Sequence, residues 1–60
     1  MKTIYTRNRK HYTLNVIEIE GRYHAQITDN TNGNTWTGAP FAHRDSALRN
    51  VQNKFNEIDR

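Results

Sequence analysis

Tyr12-Thr-Leu-Asn-Val-Ile-Glu-Ile-Glu-Gly-Arg-Tyr-His-Ala-Gln-Ile-Thr28 reads as two β-strands joined at Glu20-Gly21. Tyr12 to Ile19 alternates and is rich in β-branched residues. From Arg22 to Thr28 the alternation is clean, with Tyr23, Ala25 and Ile27 on one face and Arg22, His24, Gln26 and Thr28 on the other. Downstream, Asn32-Gly33 is a strong hairpin signal, because both residues tolerate positive φ. A third strand, Thr35 to Gly38, follows, and Pro40 ends pairing because it has no amide hydrogen to donate. With a two-residue loop at Asn32-Gly33, Trp36 lies opposite Asp29 and Gly38 opposite Ile27. Trp36 then shares the face of Tyr23, Ala25 and Ile27, which is the core face. Upstream, Thr3 to Thr6 reads as a further short edge strand.

The C-terminal segment has a different period. Ala47, Leu48, Val51, Phe55 and Ile58 recur at spacings of three and four, forming one apolar stripe of an amphipathic helix over residues 44–58. Asp45 or His43 sits at its N-cap, and Asp is the better acceptor. The expected fold is α+β: a small three-stranded antiparallel sheet, with the short N-terminal strand as a fourth, and one C-terminal helix packed on one face. Residues 1–60 make one small domain, with a basic N-terminal arm over 1–10, a β-meander over 11–38 and the helix after it.

Leu14 and Val16 have one parity along the first long strand, and Ile17 and Ile19 the other. A regular strand cannot bury all four on one side. Either a bulge near Val16 re-aims the chain, or one pair faces away from the helix. With a two-residue Glu20-Gly21 loop the outward pair is Ile17 and Ile19, a patch suited to a dimer or another protein partner.

Sixty residues carry 33% hydrophobic residues and a net charge of +3. A chain this short buries only roughly 60% of the surface its unfolded form exposes. There is no room for a nucleotide-binding fold or a barrel. Cysteine is absent, which removes disulfides, thiolate zinc sites and thiol nucleophiles. Met1-Lys2 leads into no apolar run, so the expectation is an intracellular, cytoplasmic protein without a membrane segment. Lys2, Arg7, Arg9 and Lys10 crowd the first ten residues beside His11, with no acid before Glu18. Such an arm suits a polyanion, although an ordinary solvated terminus has the same composition.

Catalytic signals are thin. Ser46 is the single serine and falls in the first helical turn, while His11, His24 and His43 are scattered without ligand spacing or an orienting carboxylate. Gly21, Gly33 and Gly38 form no phosphate-cradling motif. The expectation is a non-enzymatic protein with no metal and no cofactor.

Gly21-Arg-Tyr23-His-Ala25-Gln-Ile27-Thr-Asp29, followed by Gly33, Gly38, Phe41 and Ala47, resembles the three-stranded-sheet-plus-helix DNA-binding domain of plant ethylene-response factors and phage-type tyrosine integrases. That resemblance covers about half the chain. It implies that the sheet lies in the major groove, with Arg22, His24, Gln26 and Thr28 facing the bases and basic residues holding phosphates. The family's denser exposed arginines are missing. Tyr12-x-Leu14-x-Val16, Gly21-x-Tyr23-x-Ala25, Asp29 and Ala47-Leu48-x-Asn50 are also similar to HicB-type antitoxins, which cover an mRNA-cleaving toxin. Here that family's Pro-Asp-Leu-Pro-Gly stretch is lacking.

Two functions follow as expectations. The first is a small nucleic-acid-binding accessory protein, of a kind suited to a phage or prophage, with duplex DNA favoured over RNA. It would hold phosphates through Lys2, Arg7, Arg9 and Lys10 and read the groove through Arg22, His24, Gln26 and Thr28. The second is a protein-binding inhibitor or antitoxin-like module docking through Ile17, Ile19 and the sheet face.

Overall fold

The computed structural model describes residues 1–59. The chain runs β1 (Lys2–Arg9), β2 (Tyr12–Ile19), β3 (Arg22–Asp29), β4 (Thr35–Thr37) and α1 (Arg44–Ile58). The strands form one antiparallel sheet in the order β1-β2-β3-β4, and the helix packs on one face, giving the α+β fold expected from the pattern. The basic N-terminal segment is a strand and not an arm. β1 pairs with β2 from Lys2 to Arg9, well beyond the Thr3–Thr6 expectation. Its Ile4 and Tyr5 pack against the core, and that burial offsets the cost of ordering a charged segment.

Glu20 and Gly21 have φ of +50° and +78°, the two positive values that a type I′ hairpin turn requires. The β2–β3 ladder is therefore unbroken from Tyr12↔Asp29 to Ile19↔Arg22. Leu14 faces Ile27 and Val16 faces Ala25 on the helix side, while Ile17 and Ile19 point to the other side. β2 contains no bulge. The register shift lies in β1 between Thr3 and Tyr5, where Ile4 is the extra residue.

The β3–β4 connection is longer than a two-residue turn. Asp29 and Thr35 are separated by residues 30–34, and side chains organise that loop. Asp29 Oδ1 accepts Thr31 N–H at 2.9 Å, and Asn32 Oδ1 accepts Asn34 N–H at 2.9 Å. Asp29 and Asn34 close the loop with a backbone bond of 2.8 Å, and Gly33, at φ +78°, donates to Asp29 O at 2.7 Å. Asn and Asp side chains that bond the backbone two residues on compete with a minimal turn. Trp36 consequently pairs with Ile27, not with Asp29. The shift is two residues, so parity is kept and Trp36 still faces the helix, where it is half-buried.

Ala47, Val51 and Phe55 of α1 are buried against Leu14, Val16, Ala25 and Ile27. The helix backbone lies over β2 and β3 and not over β1. Its N-cap is His43, with φ −122° and ψ 139° and no side-chain capping bond, while Asp45 falls in the first turn. There its carboxylate favours the positive end of the helix dipole, but the cap position holds a weak acceptor. At the other end Lys10, in the β1–β2 turn, forms an ion pair with Asp59. Between helix and sheet edge, Asn50 Oδ1 is buried without a hydrogen-bond partner. A Cβ added to Gly38 would collide with that oxygen and sit 2.9 Å from Trp36 Cη2, so this glycine is required for close approach.

Two stability measurements test this packing by urea unfolding. Gly38→Ala is expected to cost about 1–3 kcal/mol by overpacking. Asn50→Ala removes the unpartnered oxygen and should recover part of that loss in the double variant, a coupling of at least about 0.5 kcal/mol. His43→Asp supplies the missing cap acceptor and should stabilise the chain by about 1 kcal/mol. Additive Gly38 and Asn50 effects would contradict the packing described.

Candidate nucleic-acid interface

The sheet has two unlike faces. Thr3, Thr6 and Asn8 of β1, Thr13 and Asn15 of β2, Gln26 and Thr28 of β3, and Thr35 and Thr37 of β4 share the face away from the helix through the observed pairings. Many of these side chains bond one another across strands. Thr6 Oγ1 donates to Asn15 Oδ1 at 2.8 Å, and Thr13 Oγ1 donates to Asn8 Oδ1 at 3.1 Å. The Thr28 and Thr35 hydroxyls lie 3.1 Å apart, and Gln26 Nε2 donates to Thr37 Oγ1 at 3.4 Å.

Arg22, His24, Gln26 and Thr28 do lie together on this face. His24 donates from Nδ1 to Gly38 O at 3.0 Å, since a carbonyl can only accept. With Gln26 and Thr28 also bonded to β4, Arg22 is the one exposed and unengaged member of the row among the described residues. It is also the only Lys, Arg, Asp or Glu of the strands that faces this way. The face is polar and close to neutral.

Lys2, Arg7 and Arg9 are on the opposite side. Their β2 partners are Glu18, Leu14 and Tyr12, all of helix-side parity. Simple alternation would separate Lys2 from the two arginines. The extra residue at Ile4 reverses the parity and brings all three cations to one side, with Tyr5 between them. Arg7 is exposed, and the Arg9 guanidinium carbon sits 5.3 Å from the Phe55 ring centroid. Glu18 faces Lys2 across the ladder, whereas Arg7 and Arg9 face uncharged residues. Lys10, grouped with these cations in the sequence, is instead engaged by Asp59, the only ion pair among the described residues. Beside it, His11 stacks on Tyr12 with centroids 4.5 Å apart.

Because α1 covers β2 and β3 only, β1 forms a step beside the helix, its floor carrying Tyr5, Arg7 and Arg9. Sequence reasoning found these cations but not the side they share, since bulge position leaves no periodic signal. It also missed an open pocket of about 250 Å³ at the sheet end nearest Arg9, with Tyr12, Trp36 and Ile58 among its walls. Those residues come from three separate elements.

Ile17 and Ile19 face away from the helix, but Ile17 is only 2% exposed. Thr3 and His24 flank it on the neighbouring strands. Ile19 is half-buried, so the pair forms no broad exposed apolar patch.

No group of three or more His, Cys, Asp or Glu side chains is placed to hold a metal ion among the described residues, and no described helix is long and apolar enough to cross a membrane. No protein-family model, curated protein or solved structure matches this chain.

Burial makes the two isoleucines unequal. Ile17→Ala should cost about 2–5 kcal/mol, and Ile19→Ala roughly 1 kcal/mol, the value of burying about half such a side chain. Equal costs in chemical denaturation would contradict the placement of Ile17.

Proposed function

We propose that this protein is a nucleic-acid-binding module that holds phosphates on the helix side of β1. The observation that carries the reading is the bulge at Ile4, which sets Lys2, Arg7 and Arg9 on one side of a strand the helix leaves uncovered. Phosphate contacts made by Lys and Arg release condensed counterions and supply most sequence-independent affinity.

The geometry favours a single strand over a duplex. A duplex lying on the open face would meet Arg22 but not the β1 cations, which point the other way. The step between β1 and α1 is concave, with a helix roughly 10 Å wide as its wall. Such a step admits one strand, while groove reading needs a protruding element. Aromatic side chains beside cations are the usual means of binding single strands, and Tyr5, His11 and Tyr12 are so placed.

A second reading rests on a different observation. β1 is an eight-residue edge strand whose outer backbone groups are available to an added strand of an inhibitor target. Its cationic side chains and bulge are devices that blunt an edge, so this reading ranks below the first.

Fluorescence anisotropy with labelled ten-nucleotide DNA distinguishes them. Three contacts on a single strand give a log–log salt slope near about −2, and Arg7→Ala with Arg9→Ala should bring it to roughly −0.7. Arg22→Ala should leave affinity within about twofold, because a residue off the phosphate path releases no counterions. Loss of binding on Arg22→Ala, with the arginines of β1 silent, would move the site to the open face. Absence of binding to single strand and duplex alike at about 150 mM salt would leave strand addition by a protein.

A further inference from the structure

We infer that the pocket beside Trp36 receives one unstacked base, of a kind bearing an exocyclic amino group, from the single strand held on β1. This rests on the nucleic-acid reading and adds a base-recognition site to it. The pocket holds about 250 Å³, and its lining includes the aromatic residues Tyr12 and Trp36, the apolar Ile27 and Ile58, and the polar Asp29 and Asn34. Flat aromatic walls accept the face of any base. A carboxylate at the margin accepts a hydrogen bond from an amino group, as Asp and Glu do from cytosine N4, and it repels the phosphates that would otherwise compete for the site.

The walls are held before any ligand arrives. Tyr12 meets Phe55 edge-on, with centroids 5.9 Å apart and planes at 75°, and His11 packs on it from the turn. Asp29 is oriented by its bond to Thr31 N–H. The 30–34 loop is tied to the β1–β2 turn by Asn30 N–H donating to His11 O at 2.9 Å. Trp36 is half-buried and is one of the pocket's lining residues. Lys54 Nζ lies over the Trp36 ring, 5.2 Å from its centroid, and adds a cation beside the pocket.

Position links the pocket to the cationic step. Arg9 pairs with Tyr12, and Tyr12 pairs with Asp29, so the three residues form one row across adjacent strands. Two strand spacings separate Arg9 from Asp29, about 10 Å. A strand lying along Lys2, Arg7 and Arg9 therefore runs to the end of the sheet that holds the pocket, which its last base would reach past exposed His11 and the Lys10–Asp59 pair.

Trp36 is the only tryptophan, so its fluorescence reports the pocket directly in the natural chain. A ten-nucleotide deoxycytidine strand should quench it on binding. A strand of the same length made of abasic sites keeps the phosphates; it should bind at least about 5-fold more weakly, since the pocket base and any stacking on Tyr5 and His11 are lost together, with a similar salt slope and no quenching. Deoxythymidine, which lacks the amino group, should bind several-fold more weakly than deoxycytidine. Trp36→Phe should weaken the deoxycytidine complex while leaving the abasic one unchanged in anisotropy. If that variant does not fold, the quenching and abasic comparisons on the natural chain decide alone. Salt-dependent binding of deoxycytidine without quenching, or equal quenching by the abasic strand, overturns the base pocket and leaves the phosphate reading standing. Equal affinity for deoxythymidine overturns the amino-group assignment. Failure of every strand to bind overturns the nucleic-acid reading itself.

Discussion

The β2–β3 ladder, set by the two left-handed residues Glu20 and Gly21, is the constraint on which the other elements depend. Its unbroken register puts Leu14 opposite Ile27 and Val16 opposite Ala25, and those four side chains are the floor on which Ala47, Val51 and Phe55 of α1 rest. A slip of one residue would turn one strand's pair, either Leu14 with Val16 or Ala25 with Ile27, to the opposite face. In a chain of 60 residues, whose total stability is expected to be roughly 3–9 kcal/mol, loss of that floor exceeds anything the surface could restore. β1 and β4 are additions to the hairpin's two edges, and each inherits its side-chain directions from the strand it joins.

One 15-residue helix cannot cover four strands. It lies over the central pair, and this incomplete cover shapes the molecule's surface chemistry. The uncovered sheet face closes on itself through Thr, Asn and Gln side chains that satisfy one another, and it retains one arginine. Ile17 is buried on this face although no second layer is present, with Thr3 and His24 beside it on the neighbouring strands. The uncovered end of the helix-side face behaves differently. There β1 carries cations over apolar and aromatic neighbours, and the Arg9 guanidinium borrows the Phe55 ring at the core's margin.

Two local features bind the halves of the molecule at the same end of the sheet. Lys10, in the left-handed conformation at φ +58°, reaches Asp59 just past the helix. The pair is largely exposed and worth at most about 1 kcal/mol; it orients the helix end more than it stabilises the fold. The 30–34 loop bonds back to His11. Turn, loop and helix terminus thus meet around Tyr12, and the resulting pocket belongs to no single element.

Much of the fold was legible in the residues themselves. The period of two in Arg22 to Thr28, the Glu20-Gly21 turn and the three-four spacing of Ala47, Val51 and Phe55 are local signals, carried by backbone sterics and burial of one stripe. They determined strand, turn and helix, and the placement of Trp36 on the helix side survived a two-residue error in register because parity alone sets the face. Tertiary structure decided the rest. An eight-residue β1 exists because β2 offers a free edge and the core accepts Ile4 and Tyr5, neither of which its own composition announces. The bulge at Ile4 is an adjustment between two strands, and it alone decides that Lys2 joins Arg7 and Arg9. Asp29 and Asn32 lengthened a loop that the Asn32-Gly33 signal placed but could not size. Trp36, Tyr12 and Ile58 are far apart in the chain, and only the packing of helix on sheet brings them to one pocket.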